Sequence, residues 1–115
     1  MYTLDLRFPG DQAGSMSPRK VLAAEKIGAR IREARHELGL TIEDLSALAE
    51  IDAATLGKLE RGAQSPSVET VVRVASALEV DAGVLLQGIT ADDYGKREHR
   101  FTARDFLAER ARRDR

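Results

Sequence analysis

The sequence predicts an all-α fold, and three observations support this prediction. Apolar residues recur at intervals of three and four along most of the chain, which is the period of an amphipathic helix. Each predicted helix begins at a residue that can cap it. Aromatic residues make up only 4% of the 115 residues, so the core must be aliphatic, which suits packed helices better than a β-sandwich.

The composition excludes several classes of protein and of site. The chain has no cysteine, which excludes disulfides, thiol chemistry and cysteine-based zinc sites. His36 and His99 are far apart in the sequence and lack metal-ligand spacing, so neither a metal nor a cofactor is expected. No apolar run approaches the roughly 20 residues that span a bilayer. We therefore expect no membrane partner and a cytoplasmic location.

The first of three predicted parts is a leader, residues 1–16. Its apolar residues alternate with polar ones, which is the period of a strand, and Pro9 ends the pattern. These apolar residues are Tyr2, Leu4, Leu6 and Phe8. Because a lone strand is not stable, the leader is expected to pair with another chain, to pack on the domain, or to be disordered.

The second part, residues 17–88, is predicted to form a domain of five helices. Helix 1 is expected to run from Ser17-Pro18, a cap followed by a first-turn proline, to Leu38, with Gly39 as its stop. The residues predicted to face inward from helix 1 are Ile27, Ile31, Ala34 and Leu38.

Helices 2 and 3 are predicted to be short and to be joined by a tight turn. Thr41 and Asp44 have the spacing of a capping box at the start of helix 2. Asp52 is expected to cap helix 3, and Gly62 to end it. The inward residues are predicted to be Leu45, Leu48, Leu56 and Leu59. This is the shape that places a second helix in the major groove of DNA.

Two further helices complete the predicted domain. The turn Ser65–Ser67 is expected to cap helix 4, Asp81 to cap a short helix 5, and Gly88 to close that helix. Helix 4 is predicted to bury Val68, Val71, Val72, Ala75 and Leu78, and helix 5 carries Val84, Leu85 and Leu86.

The third part, residues 89–115, is predicted to be a linker and a basic C-terminal helix. The helix is expected to begin with a second capping box, formed by Thr102 and Asp105, and to carry apolar Phe101, Phe106 and Leu107. Residues 26–88 have a net charge of −3 and residues 89–115 one of +2. The amphipathic, basic tail is therefore a candidate binding site for a protein partner.

Residues 27–87 resemble the phage-repressor/Cro-type helix-turn-helix family, also called the xenobiotic-response-element type. The residues that carry the resemblance are Leu38-Gly39-Leu40, Asp44-Leu45, Leu56, Leu59-Glu60-Arg61-Gly62, Ser65-Pro66-Ser67, Val71, Ala75, Leu78 and Val84-Leu85-Leu86. The resemblance implies a five-helix lambda-repressor-like DNA-binding domain. It further implies a sequence-specific transcriptional regulator, nucleoid-associated when bound, that reads the major groove of double-stranded DNA as a homodimer through helix 3, about residues 52–61.

The resemblance also assigns the DNA-binding positions. They map to Thr41, Ile42, Ala53, Ala54, Thr55, Gly57, Lys58, Arg61 and Gln64. In helix 3 and directly after it, only Thr55, Lys58 and Arg61 offer polar contacts to DNA. Ile42 stands where family members often have a glutamine, and Glu50 where they commonly have a glycine with positive φ. Because these side chains are small, we expect a single domain to bind DNA with low affinity and to depend on dimerisation.

A structural ion pair is implied by the same resemblance. Arg35, near the end of helix 1, and Glu60, at the end of helix 3, occupy the family positions of an arginine–glutamate pair. A bidentate contact between them would clamp helix 1 to helix 3.

An alternative function uses the same scaffold. The alanine-rich face of helix 3, the acidic domain and the basic tail also favour an antitoxin-like or adaptor module that binds another polypeptide. An enzyme is not expected, because the sequence contains no recognisable set of nucleophile, base and orienting residue.

Overall fold

The computed structural model describes residues 21–95 and 101–114, and within these ranges every regular element is helical. The elements are α1 (Leu22–Glu37), α2 (Ile42–Ala49), α3 (Ala53–Glu60), α4 (Val68–Leu78), α5 (Ala82–Leu86), a 3-10 helix (Ala91–Tyr94) and α6 (Ala103–Arg113). The predicted leader strand and the Ser17-Pro18 cap lie outside the described residues. Among the residues described, no helix is long and apolar enough to cross a membrane.

Helix α1 differs from the prediction at both ends. It begins at Leu22, because Val21 has an extended backbone, so the predicted continuous helix from Pro18 is wrong. Leu38 was expected to face inward but is exposed at the C-terminal cap of α1. The inward position of the last turn belongs instead to Arg35, one turn beyond the buried Ile31.

The predicted helix caps at the starts of α2, α3, α4 and α5 are confirmed. Thr41 Oγ1 accepts a hydrogen bond from the Asp44 amide at 2.9 Å, and an Asp44 carboxylate oxygen accepts one from the Thr41 amide at 3.0 Å. An Asp52 oxygen accepts from the Thr55 amide at 3.1 Å, and Ser67 and Asp81 cap α4 and α5. Each cap satisfies an amide that has no partner inside its helix.

The core is aliphatic, as the low aromatic content requires. Its buried members are Ile27, Ile31, Leu45, Ala49, Leu56, Val71, Val74, Ala75, Leu78 and Leu85. These residues come from α1 to α5, and α1 packs against α3, α4 and α5. Leu59 is also buried, as predicted.

Several residues predicted to face inward are exposed. Leu48 is 60% exposed, Val68 is 80% exposed and Val72 is 48% exposed. The reason is that each short helix buries a narrow stripe in which residues three or four apart share a face. On α4 that stripe includes Val74, which the prediction omitted.

Two turns contain a residue with a left-handed backbone other than glycine. Glu50 has φ 58° between α2 and α3, at the position where the resemblance implies a glycine, and Glu79 has φ 61° after α4. The Glu50 carboxylate is bound by Arg73 Nη1 at 3.1 Å, and Arg73 Nε also binds Glu69 at 2.8 Å. These ion pairs connect the α2–α3 turn to α4.

The segment predicted as a linker contains a 3-10 helix that packs on α1. Asp93 accepts a hydrogen bond from the Thr90 amide at 2.9 Å and an ion-pair contact from Lys26 Nζ at 3.0 Å. Asp93 is buried. The spacing of Thr90 and Asp93 is that of a capping box, the same signal that predicted α2 and α6.

Helix α6 begins with the predicted capping box. Thr102 Oγ1 accepts from the Asp105 amide at 3.1 Å, and Asp105 accepts from the Thr102 amide at 3.2 Å. No residue of α6 is buried. The guanidinium of Arg110 lies 5.7 Å from the centre of the Phe106 ring.

Candidate nucleic-acid interface

Helix α3 is fixed to α1 by a buried ion pair. Arg35 Nε lies 2.7 Å from Glu60 Oε2, and Arg35 Nη2 lies 2.8 Å from Glu60 Oε1. The two residues are only 7% and 8% exposed. Hydrogen bonding to Glu60 raises the pKa of Arg35 above its usual value, against the opposing effect of burial. A bidentate pair of this kind restrains both the distance and the rotation between the two helices.

Arg35 also binds the loop that precedes α2. Its Nη1 donates to the backbone oxygen of Leu40 at 2.9 Å. Three parts of the helix-turn-helix unit therefore meet at one guanidinium group: α1, the approach to α2 and the end of α3. Arginine suits this role because its planar group offers several donors in a fixed geometry.

A close approach between α1 and the end of α3 depends on Gly28. A Cβ atom at this position would overlap the backbone oxygen of Leu59 and lie 2.8 Å from that of Glu60. Since backbone atoms cannot move aside as a flexible side chain can, only glycine fits here. The sequence prediction missed this residue, although an isolated glycine inside a helical pattern is a known signal of close packing.

The outer face of α3 carries few polar groups. Ala54 and Lys58 are exposed on it, and Ala53 and Thr55 are half-buried. Thr55 is partly engaged in the cap, because its amide and its hydroxyl both lie within hydrogen-bonding distance of one Asp52 oxygen. Lys58 is therefore the exposed charged group at the middle of this face.

Arg61 lies against the helix surface above Gly57. Gly57 is buried, and a Cβ atom there would lie 3.1 Å from Arg61 Nη1. The two residues are one helical turn apart, so the missing side chain at 57 leaves the space in which the guanidinium lies. Arg61 itself is exposed.

The remaining predicted contact residues occupy different settings. Thr41 is exposed at the start of α2, with its hydroxyl accepting the capping hydrogen bond, and Gln64 is exposed in the loop after α3. Ile42 is half-buried and packs against the core. The structure thus places Lys58 on α3 and Arg61 at its C-terminal cap, both exposed, whereas Ile42 packs against the core.

Three carboxylates lie at the starts of α2 and α3. Asp44 and Asp52 occupy the caps of α2 and α3, and Glu43 is exposed in the first turn of α2. Hydrogen bonding from the Thr41 amide, with a smaller contribution from the Thr41 side chain, lowers the pKa of Asp44. This group therefore remains negative at neutral pH. Within residues 21–95 and 101–114, no cluster of His, Cys, Asp or Glu could hold a metal ion.

Residues 31–85 match a family model described as helix-turn-helix. Two solved structures are similar over a comparable part of the chain. The restriction-modification controller protein C.AhdI of Aeromonas hydrophila is 34% identical, with a TM-score of 0.53, over 54% of this chain and 94% of its own. The biofilm regulator SinR, solved in complex with DNA, is 33% identical, with a TM-score of 0.51, over 52% of this chain and 97% of its own. The chain belongs to the helix-turn-helix family.

The family assignment confirms the predicted lambda-repressor-like fold. A curated relative in the helix-turn-helix family, the HTH-type transcriptional regulator DdrOP3 of Deinococcus deserti, is 39% identical over 64 residues, which are 56% of this chain. The matched region spans 50% of the length of that relative. Both the family and its named relatives belong to a class of regulators rather than of enzymes, in agreement with the sequence prediction.

Proposed function

We propose that this protein is a sequence-specific transcriptional regulator that binds double-stranded DNA as a homodimer, with α3 in the major groove. One observation carries the proposal. Helix α3 is locked to α1 by the buried Arg35–Glu60 pair, while its opposite face, with Lys58, stays exposed. A rigid helix with one free face is what insertion into the major groove requires.

The chemistry of the exposed face supports a specific division of roles. Lys58 donates to guanine O6 or N7, and Ala54 contacts a thymine methyl group. Arg61, Gln64 and Thr41 bind phosphates and set the register of α3 on the duplex. The similarity to SinR, which was solved in complex with DNA, supports DNA as the ligand.

Dimerisation is part of the proposal because the single reading face is weak. It offers few base contacts and lies among the carboxylates of Glu43, Asp44 and Asp52. A second copy would double the contacts, with its α3 one helical turn of DNA away, about 34 Å. The same arrangement predicts an operator made of two related half-sites.

The test is a fluorescence-anisotropy titration on labelled genomic DNA fragments. Binding of the wild type should weaken steeply with salt, because each phosphate contact releases counterions. The Lys58→Ala/Arg61→Ala variant should bind at least tenfold more weakly and with a shallower salt dependence, since a base contact is worth about 1–3 kcal/mol. Arg112→Ala serves as the control, because it removes an exposed cation on α6.

Equal, weak and salt-insensitive binding by the wild type and the double variant would contradict the proposal. That result would favour the second candidate function, an antitoxin-like or adaptor module that binds a polypeptide through the same scaffold. The observation in favour of this second candidate is the small, uncharged surface formed by Ala53 and Ala54. A small and weakly charged helix face can pack closely against another protein chain.

A further inference from the structure

Helix α6 has an apolar face that the described part of the chain leaves uncovered. Phe106 is 46% exposed and Leu107 is 52% exposed. Ala103 and Ala111 share their face, because residues three and four apart in a helix lie side by side. An isolated helix of 11 residues is marginally stable in water. This face therefore requires a partner surface.

The same face of α6 is basic. Arg110 lies within it, stacked against Phe106, and Arg104 flanks it one turn before Leu107. Glu109, three residues after Phe106, borders this face, and its charge is paired with Arg112. The partner surface should therefore combine an apolar floor with carboxylates at its edge.

A groove between α1 and α5 has this combination. Its volume is about 440 Å³, and its floor is formed by Ala34, Val80, Val84 and Leu85. Glu33 and Glu37 lie one turn apart on the α1 side and are exposed. Arg30 also lines the groove, and its Nη1 donates a hydrogen bond to the backbone oxygen of Leu85 at 3.0 Å. The edge of the groove therefore attracts a basic helix.

We propose that α6 of one copy of the chain docks in the α1–α5 groove of a second copy. Phe106 and Leu107 would fill the apolar floor, while Arg104 and Arg110 would face Glu33 and Glu37. A second copy is the chosen occupant because no residue of α6 is buried by the chain it belongs to. A reciprocal exchange buries two such faces in one symmetric dimer. This inference rests on the proposed homodimer and specifies its interface.

The test exchanges charges between the two surfaces. One variant, Arg104→Glu/Arg110→Glu, has an acidic tail and an acidic groove. The other, Glu33→Lys/Glu37→Lys, has a basic tail and a basic groove. Each variant alone places like charges in contact and should dimerise at least about tenfold more weakly than the wild type. An equimolar mixture should restore dimer formation, because each tail then meets a groove of opposite charge.

Sedimentation equilibrium of the full chain measures these masses, and circular dichroism verifies that both variants are folded. Dimers that form only in the wild type and in the mixture support the inference. Variants that dimerise alone as tightly as the wild type, or a mixture that does not recover, overturn it and leave the homodimer in place. A wild type that is monomeric at high concentration overturns both the inference and the proposed homodimer.

A variant that lacks the apolar side chains of α6 tests whether the interface is more than electrostatic. Phe106→Ser/Leu107→Ser removes the side chains assigned to the groove floor and leaves the charges unchanged. It should lower the dimer association constant by at least about tenfold, since each buried CH₂ group contributes measurably to association. An unchanged association constant would show that the apolar face of α6 is not part of the interface, which overturns the inference.

Discussion

Arg35 donates two hydrogen bonds to Glu60, of 2.7 and 2.8 Å, although the two residues are 25 positions apart in the chain. The pair joins the last turn of α1 to the last residue of α3. Removing one member of a buried ion pair leaves an uncompensated charge in a site of low polarity. This contact therefore governs both the stability of the domain and the angle of α3.

Arg35→Met should lower the free energy of unfolding by about 3–5 kcal/mol, because Glu60 would stay buried without its partner. Urea denaturation monitored by circular dichroism measures the change. The double variant Arg35→Met/Glu60→Leu should lose less than the single variant, since no unpaired charge remains. A double variant that is less stable than Arg35→Met would contradict the assigned role of the pair.

Gly28→Ala should lower the free energy of unfolding by about 1–3 kcal/mol, the usual cost of overpacking. The added methyl group would collide with the backbone oxygens of Leu59 and Glu60. Gly83→Ala is the matched control, since a Cβ atom there would approach Asp81 no closer than 3.7 Å. The control should be neutral or up to about 1 kcal/mol more stable, because alanine favours helix formation. Equal effects of both substitutions on the urea midpoint would disprove the close approach.

The attachment of the 3-10 helix should weaken in acid. The Thr90 amide, and next the Lys26 ammonium, lower the pKa of Asp93. Because the folded-state pKa lies below the unfolded value of about 3.9, the ionised carboxylate stabilises the fold above that value. This contribution is lost as the pH falls through the folded-state pKa. The hydrogen-exchange protection factors of residues 91–94, corrected for the pH dependence of intrinsic exchange, should fall over this range.

Asp93→Asn tests that assignment. The variant should exchange rapidly at residues 91–94 even at neutral pH, and should lack the acid-dependent change. Asp44 titrates in the same direction through its own capping box, so Asp44→Asn is the comparison. Faster exchange at residues 91–94 in Asp44→Asn, with none in Asp93→Asn, would refute the role of Asp93.

Gly57→Ala should separate stability from DNA binding. The new methyl group would lie 3.1 Å from Arg61 Nη1, and the flexible arginine can move away from it. The free energy of unfolding should stay the same or rise by up to about 1 kcal/mol, since alanine is the better helix former. Affinity for DNA, measured by fluorescence anisotropy, should fall because Arg61 is displaced. Unchanged affinity would mean that the position of Arg61 does not contribute to binding.

The helix starts could be predicted from the sequence because capping is local chemistry. Thr41 with Asp44, and Thr102 with Asp105, bind each other's amides across three residues, and no tertiary information is needed to see this. The contact between Asp93 and α1 could not be predicted, because it is not local. Lys26, the partner of Asp93, is 67 residues away, and only the folded chain brings the two together.

The apolar stripes were predicted less well than the caps. Leu48 and Val72 follow the general period of their helices, yet both are exposed, because helices of 8 and 11 residues bury one narrow face in a small domain. In the candidate site, too, the details of packing could not be predicted from the sequence. The resemblance located Lys58 and Arg61, but the position of Arg61 above Gly57 depends on side-chain packing that no spacing rule supplies.

The position of Arg61 over Gly57 separates two properties of the proposed DNA binding, affinity and sequence preference. In the proposed mode of binding, base-facing residues determine sequence preference, whereas Arg61 contacts a phosphate and contributes to affinity. Here the residue at 57 determines how far a neighbouring cation stands from the helix axis. Successive substitutions at this one position, from glycine to larger residues, would therefore move the charge outward stepwise. Such a series would tune the strength of the proposed phosphate contact while the base-facing residues stay the same.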